Sequence, residues 1–155
     1  MQISDAIPNL PAEIVRHGLE TLIGILPRPI PDTPENLAAR EASAIRAVAA
    51  LRPRDAFQLM LAVQIVGTDA HAMECLRFAA VPGQPLDIVQ RARSQACSLW
   101  RVSDASLRDL MRTQDRQDKS AATRPAARPA RTPGAQAAAK RSGDPAKPPK
   151  LYLVH

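Results

Sequence analysis

A chain of 155 residues in which aromatic residues make up 3% has room for one domain and one appended segment, with a core of Leu, Ile, Val, Ala and Met. That composition favours close-packed helices over a β-sandwich, whose strands draw on aromatic and β-branched side chains. The net charge of +6 does not describe a uniformly basic protein: residues 1–118 hold 13 Arg against 14 Asp plus Glu, while residues 119–155 hold 8 Lys plus Arg against Asp144 alone.

Residues 1–10 read as a short lead, and Pro11-Ala12-Glu13 opens a helix predicted over 11–26. Its Ile14, Val15, Leu19, Leu22, Ile23, Ile25 and Leu26 share one face, opposite Arg16, His17 and Glu20. Gly18 lies on the apolar side, where it permits close approach, and Gly18 and Gly24 each weaken the helix by about 1 kcal/mol relative to Ala. Pro27, Pro29, Pro31 and Pro34 make a stiff connector, because each fixes its own φ and drives the preceding residue out of the helical region.

Thr33-Pro34-Glu35 combines an N-cap, a proline at the first helical position and an early acid, so a second helix is predicted over 34–51. Leu37, Ala44, Ile45, Val48 and Leu51 face inward, with Glu41 interrupting the seam. Its alanine-rich seam suits either the protein's own core or a partner helix.

The third helix, predicted over 53–81, is the most apolar long stretch. Leu59, Ala62, Val63, Val66, Ala70 and Met73 line one arc and Leu61, Ile65, Ala72, Leu76 and Ala79 the next, together covering roughly 200° of its girth. A helix apolar over that width needs at least two neighbours, so it is expected to be central. It is not expected to cross a membrane: the uncharged run Ala56–Thr68 is only 13 residues long, contains two Gln, and is followed by Asp69, His71, Glu74 and Arg77.

Pro82-Gly83-Gln84-Pro85 is a turn, and residues 85–117 carry the cleanest amphipathic pattern. Ile88, Val89, Ala92, Ala96, Leu99, Trp100, Ser103, Leu107, Leu110 and Met111 share one arc, facing Arg91, Ser94, Arg101, Asp104, Arg108 and Asp109. Short links predict an antiparallel up-down bundle of three long helices plus the shorter first one, occupying 11–118. A hairpin at Gly83 sets Cys75 level with about residue 92, Glu74 level with Arg93, and Asp69 within a turn of Arg101, which pairs two awkward charges of the central helix. The same register offsets Cys75 from Cys97 by roughly 7 Å, disfavouring a disulfide and fitting a reducing cytoplasm; residues 1–10 also lack the basic start of a cleavable leader.

Motifs of catalysis are missing. Phosphate loops, paired CxxC elements, HExxH and serine elbows do not occur, so the chain is expected not to be an enzyme and to carry no cofactor. The nearest approach to a metal site is His71 and Cys75, one turn apart, with Cys97 on the next helix; against it, a helical Cys is usually a small core residue. His17 and His155 have no visible partners, and the mixed charges of helices 2 and 4 read as solvated surface.

From Lys119 the pattern collapses into AATRPAARPARTPGAQAAAKRSGDPAKPPK, with six Pro and ten Ala, a composition that predicts a disordered arm over 119–155. Arg124, Arg128, Arg131, Lys140, Arg141, Lys147 and Lys150 are the candidate nucleic-acid-binding residues, able to neutralise phosphates without reading bases. No aromatic interleaves them, which argues against base stacking. This arm resembles in composition the basic Ala-Pro-Lys tails of linker-histone-like and other nucleoid-associated proteins, and the resemblance implies non-specific contact with nucleic acid. The competing reading is a solubilising extension. Leu151-Tyr152-Leu153-Val154-His155 is apolar again and reads as a frayed end or an extended docking strand. The segment PENLAAREASAIRAVAALRPRDAFQLMLAVQIVGTDAHAMECLR resembles small Ala- and Arg-rich helical proteins of GC-rich bacteria that carry no assigned function, a likeness that brings no site residues. The expected function is a helical association module that pairs with itself or a helical protein and touches nucleic acid through its arm. The alternative is an accessory subunit that completes its bundle with a protein partner.

Overall fold

The computed structural model describes residue Ile7 and residues 10–123, and these form an all-helical bundle of α1 (Ala12–Ile25), α2 (Pro34–Ala50), α3 (Ala56–Ala79) and α4 (Leu86–Thr123). The start of α2 follows its capping signal, with the Thr33 hydroxyl accepting from Asn36 N at 3.3 Å and Pro34 in the first turn. α3 begins later than the predicted Pro53. Arg52 takes a left-handed φ of 51°, which turns the chain out of α2, and the Asp55 carboxylate then caps the new helix by accepting from Gln58 N at 2.8 Å.

α4 runs six residues past the expected Gln117, through Thr123. Its last turns are held from outside: Gln114 Nε2 donates to the backbone oxygens of Leu51 at 3.0 Å and Arg52 at 3.2 Å, capping the end of α2, and Gln117 Nε2 donates to Asp55 Oδ2 at 2.5 Å. The end of α1 is capped in a similar way. His71 Nε2 lies 2.7 Å from Ile25 O, and Arg40 Nη1 donates to Leu26 O at 3.0 Å, placing two basic side chains at the negative end of the helix.

α3 is central, as its wide apolar arc predicts, with α1, α2 and α4 around it. Toward α1 it presents Leu59 and Gly67: a Cβ added at Gly18 would lie 3.0 Å from Leu59 Cδ2, and one added at Gly67 would lie 2.7 Å from Ile25 Cδ1. Ala44 and Val48 of α2 join Val15, Leu19, Leu22, Leu59, Ala62 and Val63 in the main core. On the α4 side Leu61 and Ile65 pack with Leu110 in a second, smaller core, to which Leu51 and Leu107 contribute. α1 therefore follows α3 in direction, since Gly18 meets Leu59 and Ile25 meets Gly67. α4 runs the other way, Gln117 meeting Gln58 at one end and Ala92 sharing a hollow with Cys75 at the other.

Several side chains assigned inward by periodicity are not buried. Met73, Trp100 and Met111 are exposed, as are Ile14 and Ile25 on α1. Small residues take the inner line of α4 instead, with Ala92, Ala96, Ser103 and Ser106 buried. The two cross-helix ion pairs expected for α3 are not formed. Glu74 pairs with Arg77 on its own helix, since residues three apart reach each other at little entropic cost, and no ion pair of Asp69 with Arg101 occurs among the described residues.

Candidate functional site

The three neighbours of α3 touch it through Leu61 and Ile65, through Ala62, and through Leu59, Val63 and Gly67, directions that at 100° per residue lie about 90° apart around the helix. Apart from Met73, 59% exposed on the far side of the helix, the exposed large apolar side chains of α3 fall in the one direction left. It carries Phe57, Met60, Gln64, Thr68, His71, Cys75 and Phe78, in steps of three and four residues, and nothing among the described residues covers this line. Phe57 is 51% exposed, Met60 59% and Phe78 45%. Large apolar side chains at such exposure along a single helix face mark an interaction surface more often than scattered exposed residues do.

The line is the floor of a shallow groove with walls from α1 and α4. Toward one end Ile14, His17, Gly18 and Thr21 of α1 stand beside Ala56, Met60 and Val63, enclosing a hollow of about 310 Å³. At the other end Cys75 and Phe78 face Ile88, Arg91, Ala92 and Gln95 across a hollow of about 480 Å³. Ile25 and Val102, each 43% exposed, lie farther along the same walls. The floor holds no Asp, Glu, Lys or Arg. Glu74, at its margin, is occupied by Arg77, whose hydrogen bond holds the Glu74 carboxyl below its usual range against a smaller opposing effect of burial.

The candidate metal residues are not brought together. His71 turns to the end of α1, Cys75 is half-buried on the groove floor, Cys97 is exposed on α4, and both thiols are free. Among the described residues no three His, Cys, Asp or Glu side chains gather in a way that would hold a metal ion. Among them, too, no helix is long and apolar enough to cross a membrane. The candidate nucleic-acid residues Arg124, Arg128, Arg131, Lys140, Arg141, Lys147 and Lys150, and the apolar run Leu151 to His155, lie outside the described residues.

No family model, curated protein or solved structure matches this chain. The reading of the site therefore rests on its own geometry. Sequence periodicity passes over the groove because it gathers apolar residues into arcs, and polar Gln64, Thr68 and His71 separate Phe57 and Met60 from Phe78 on this line. The signal that would have found it is the complement of those arcs: an uncharged line from Phe57 to Phe78 with an aromatic at each end.

Proposed function

We propose that the protein is a non-enzymatic association module, binding another helix in the α3 groove and holding nucleic acid by its phosphates through the basic arm. The observation that carries the first part is the line on the central helix where Phe57, Met60 and Phe78 stay 45% to 59% exposed, while the directions toward α1, α2 and α4 supply the two cores. A helix laid there would complete a four-neighbour arrangement around α3 and remove large apolar side chains from water. The second part is supported by charge: 8 Lys plus Arg against one acid in residues 119–155 suit counterion release from a phosphate backbone. Two free thiols fit a reducing compartment, the cytoplasm.

An accessory subunit completed by a different protein, with the arm only solubilising, draws on the same groove. Both versions require the groove to be sticky when empty. Diluted until monomeric, the intact chain should enhance the fluorescence of an apolar-surface dye, and joint Phe57→Ser and Phe78→Ser substitution should remove most of that signal without changing helicity. A monomer that leaves the dye dark would sink the association reading in either version.

A further inference from the structure

The groove floor has an internal symmetry that an arbitrary partner would not require. Phe57 and Phe78 are equally distant from the Gly67-Thr68 peptide, and so are Met60 and Cys75, and so are Gln64 and His71. Read outward from that centre, each direction gives a hydrogen-bonding side chain, then a sulfur side chain, then a phenylalanine. We infer that the groove is occupied by the same groove of a second copy, the two α3 helices lying antiparallel about a two-fold axis through the Gly67-Thr68 peptide. This rests on the association reading and names its partner.

In that arrangement each pair meets across the axis. Phe57 of one protomer packs on Phe78 of the other at both ends, the aromatic rings sitting where interface cores are richest in such residues. Met60 meets Cys75, and the Gln64 amide meets His71, whose Nε2 is directed at Ile25 O and whose Nδ1 remains to accept. A two-fold interface sets each patch against itself, so a patch of one charge sign would repel its own copy; the floor from Phe57 to Phe78 carries no charged residue. The same rotation keeps each wall on its own side of the paired helices, so the α4 wall of one protomer, with Val102, runs antiparallel to the α4 wall of the other, and the two α1 walls lie together on the opposite side. At 1.5 Å per residue the strip is about 32 Å long, and with walls 8–10 Å to either side of α3 its footprint approaches the roughly 800 Å² per partner of a standard interface.

The test uses the full chain, treated with nuclease and held at high salt so that the arm bridges nothing. Light scattering across micromolar concentrations should give twice the chain mass of 16.8 kDa. Phe57→Ser with Phe78→Ser, both at half-exposed positions and therefore compatible with folding, should raise the dimer dissociation constant at least tenfold at unchanged helicity. A short bis-maleimide should link Thr68→Cys to itself in a Cys75→Ser, Cys97→Ser background, and Met60→Cys to the native Cys75 in a Cys97→Ser background. Cys75 alone should not link, because the two copies stand about 22 Å apart along the helix axes.

A chain monomeric at every concentration overturns the proposal, as does a dimer indifferent to the paired phenylalanine substitutions or one in which Cys75 links to itself while Thr68→Cys does not. The monomer result also separates this proposal from the reading beneath it. A monomer that lights up the apolar dye keeps the association module and loses only the second copy; one that stays dark loses both.

Discussion

Gly18 of α1 lies so close to Leu59 of α3 that an added Cβ would stand 3.0 Å from Leu59 Cδ2 and 3.3 Å from its Cγ, so the buried Leu59 side chain would have to give way. Gly24, six residues on and in the same helix, has nothing within 4 Å of the corresponding position. The two glycines therefore separate helix propensity from packing. Gly24→Ala should stabilise by about 0.5–1 kcal/mol, the ordinary gain of alanine over glycine inside a helix. Gly18→Ala gains the same propensity but overpacks the α1–α3 contact, which typically costs about 1–3 kcal/mol, so a net loss is expected. Denaturant midpoints of the two variants measure this directly; equal stabilisation by both would show that α1 can retreat from α3.

Gln58 is completely buried and fully used: its Oε1 accepts from Arg54 N at 2.9 Å and its Nε2 donates to Gln117 Oε1 at 3.0 Å. Gln117 passes the chain of hydrogen bonds on to Asp55 Oδ2, so the first turn of α3 and the last turns of α4 are joined by one polar network. Replacing Gln58 by Leu keeps the volume and removes both bonds, leaving the Arg54 N–H and the Gln117 carbonyl without partners. A loss of about 1–3 kcal/mol is expected. Gln117→Leu on top of it should cost less than it does alone, because the two residues act in one network. Additive losses in a double-mutant cycle would dissolve the network.

Acid should weaken the protein through two carboxylates. Hydrogen bonds from Arg77 hold Glu74 below its usual pKa, and hydrogen bonds from Arg54 hold Asp118 below its own. A depressed folded-state pKa means that the stabilisation is complete above the unfolded value and disappears as pH falls through the folded one, so the loss should begin in the normal carboxylate range and continue to lower pH. Both pairs are largely solvent-exposed, so each effect should be small and screened by salt. Thermal midpoints at low ionic strength should fall more steeply below pH 4 in the wild type than in Glu74→Gln with Asp118→Asn. The same pairing predicts that charge swaps at Glu74 and Arg93 add independently, while swaps at Glu74 and Arg77 couple.

What the sequence carried about this fold, and what it did not, divides along physical lines. Local signals were sufficient where a single residue decides: Thr33 caps α2, and Gly18 allows close approach to α3. Hairpin length was enough to bring Cys75 level with Ala92. It was insufficient where two local signals compete, as at Pro53 and Asp55, because the winner depends on Asp55 reaching the Gln58 N–H. Charge pairing failed for Glu74, since a partner on the same helix outweighs one across an interface. The groove was hidden for a different reason. Which side of α3 remains open depends on where α1 docks, and periodicity records that α1 has an apolar face without recording its neighbour. The seven cations were legible only as composition.

The proposed contact of the arm with nucleic acid can be tested without changing any of the packed residues described for the bundle, because every candidate cation follows Thr123. Changing Arg124, Arg128, Arg131, Lys140, Arg141, Lys147 and Lys150 to Gln preserves length and proline content and removes the charge. Phosphate contacts of this kind release condensed counterions, so the observed affinity for duplex DNA should fall with salt at a log–log slope approaching about −6 if all seven cations engage, and the Gln variant should lose both the affinity and most of the slope. Duplexes of unrelated sequence should bind alike, and RNA should bind with comparable salt dependence, since no aromatic side chain interleaves the cations to stack on bases. Fluorescence anisotropy at low and moderate salt provides the measurement. Binding that survives the seven substitutions would move any nucleic-acid contact onto the bundle, where residues 1–118 carry a net charge of −1 from 13 Arg against 14 Asp plus Glu.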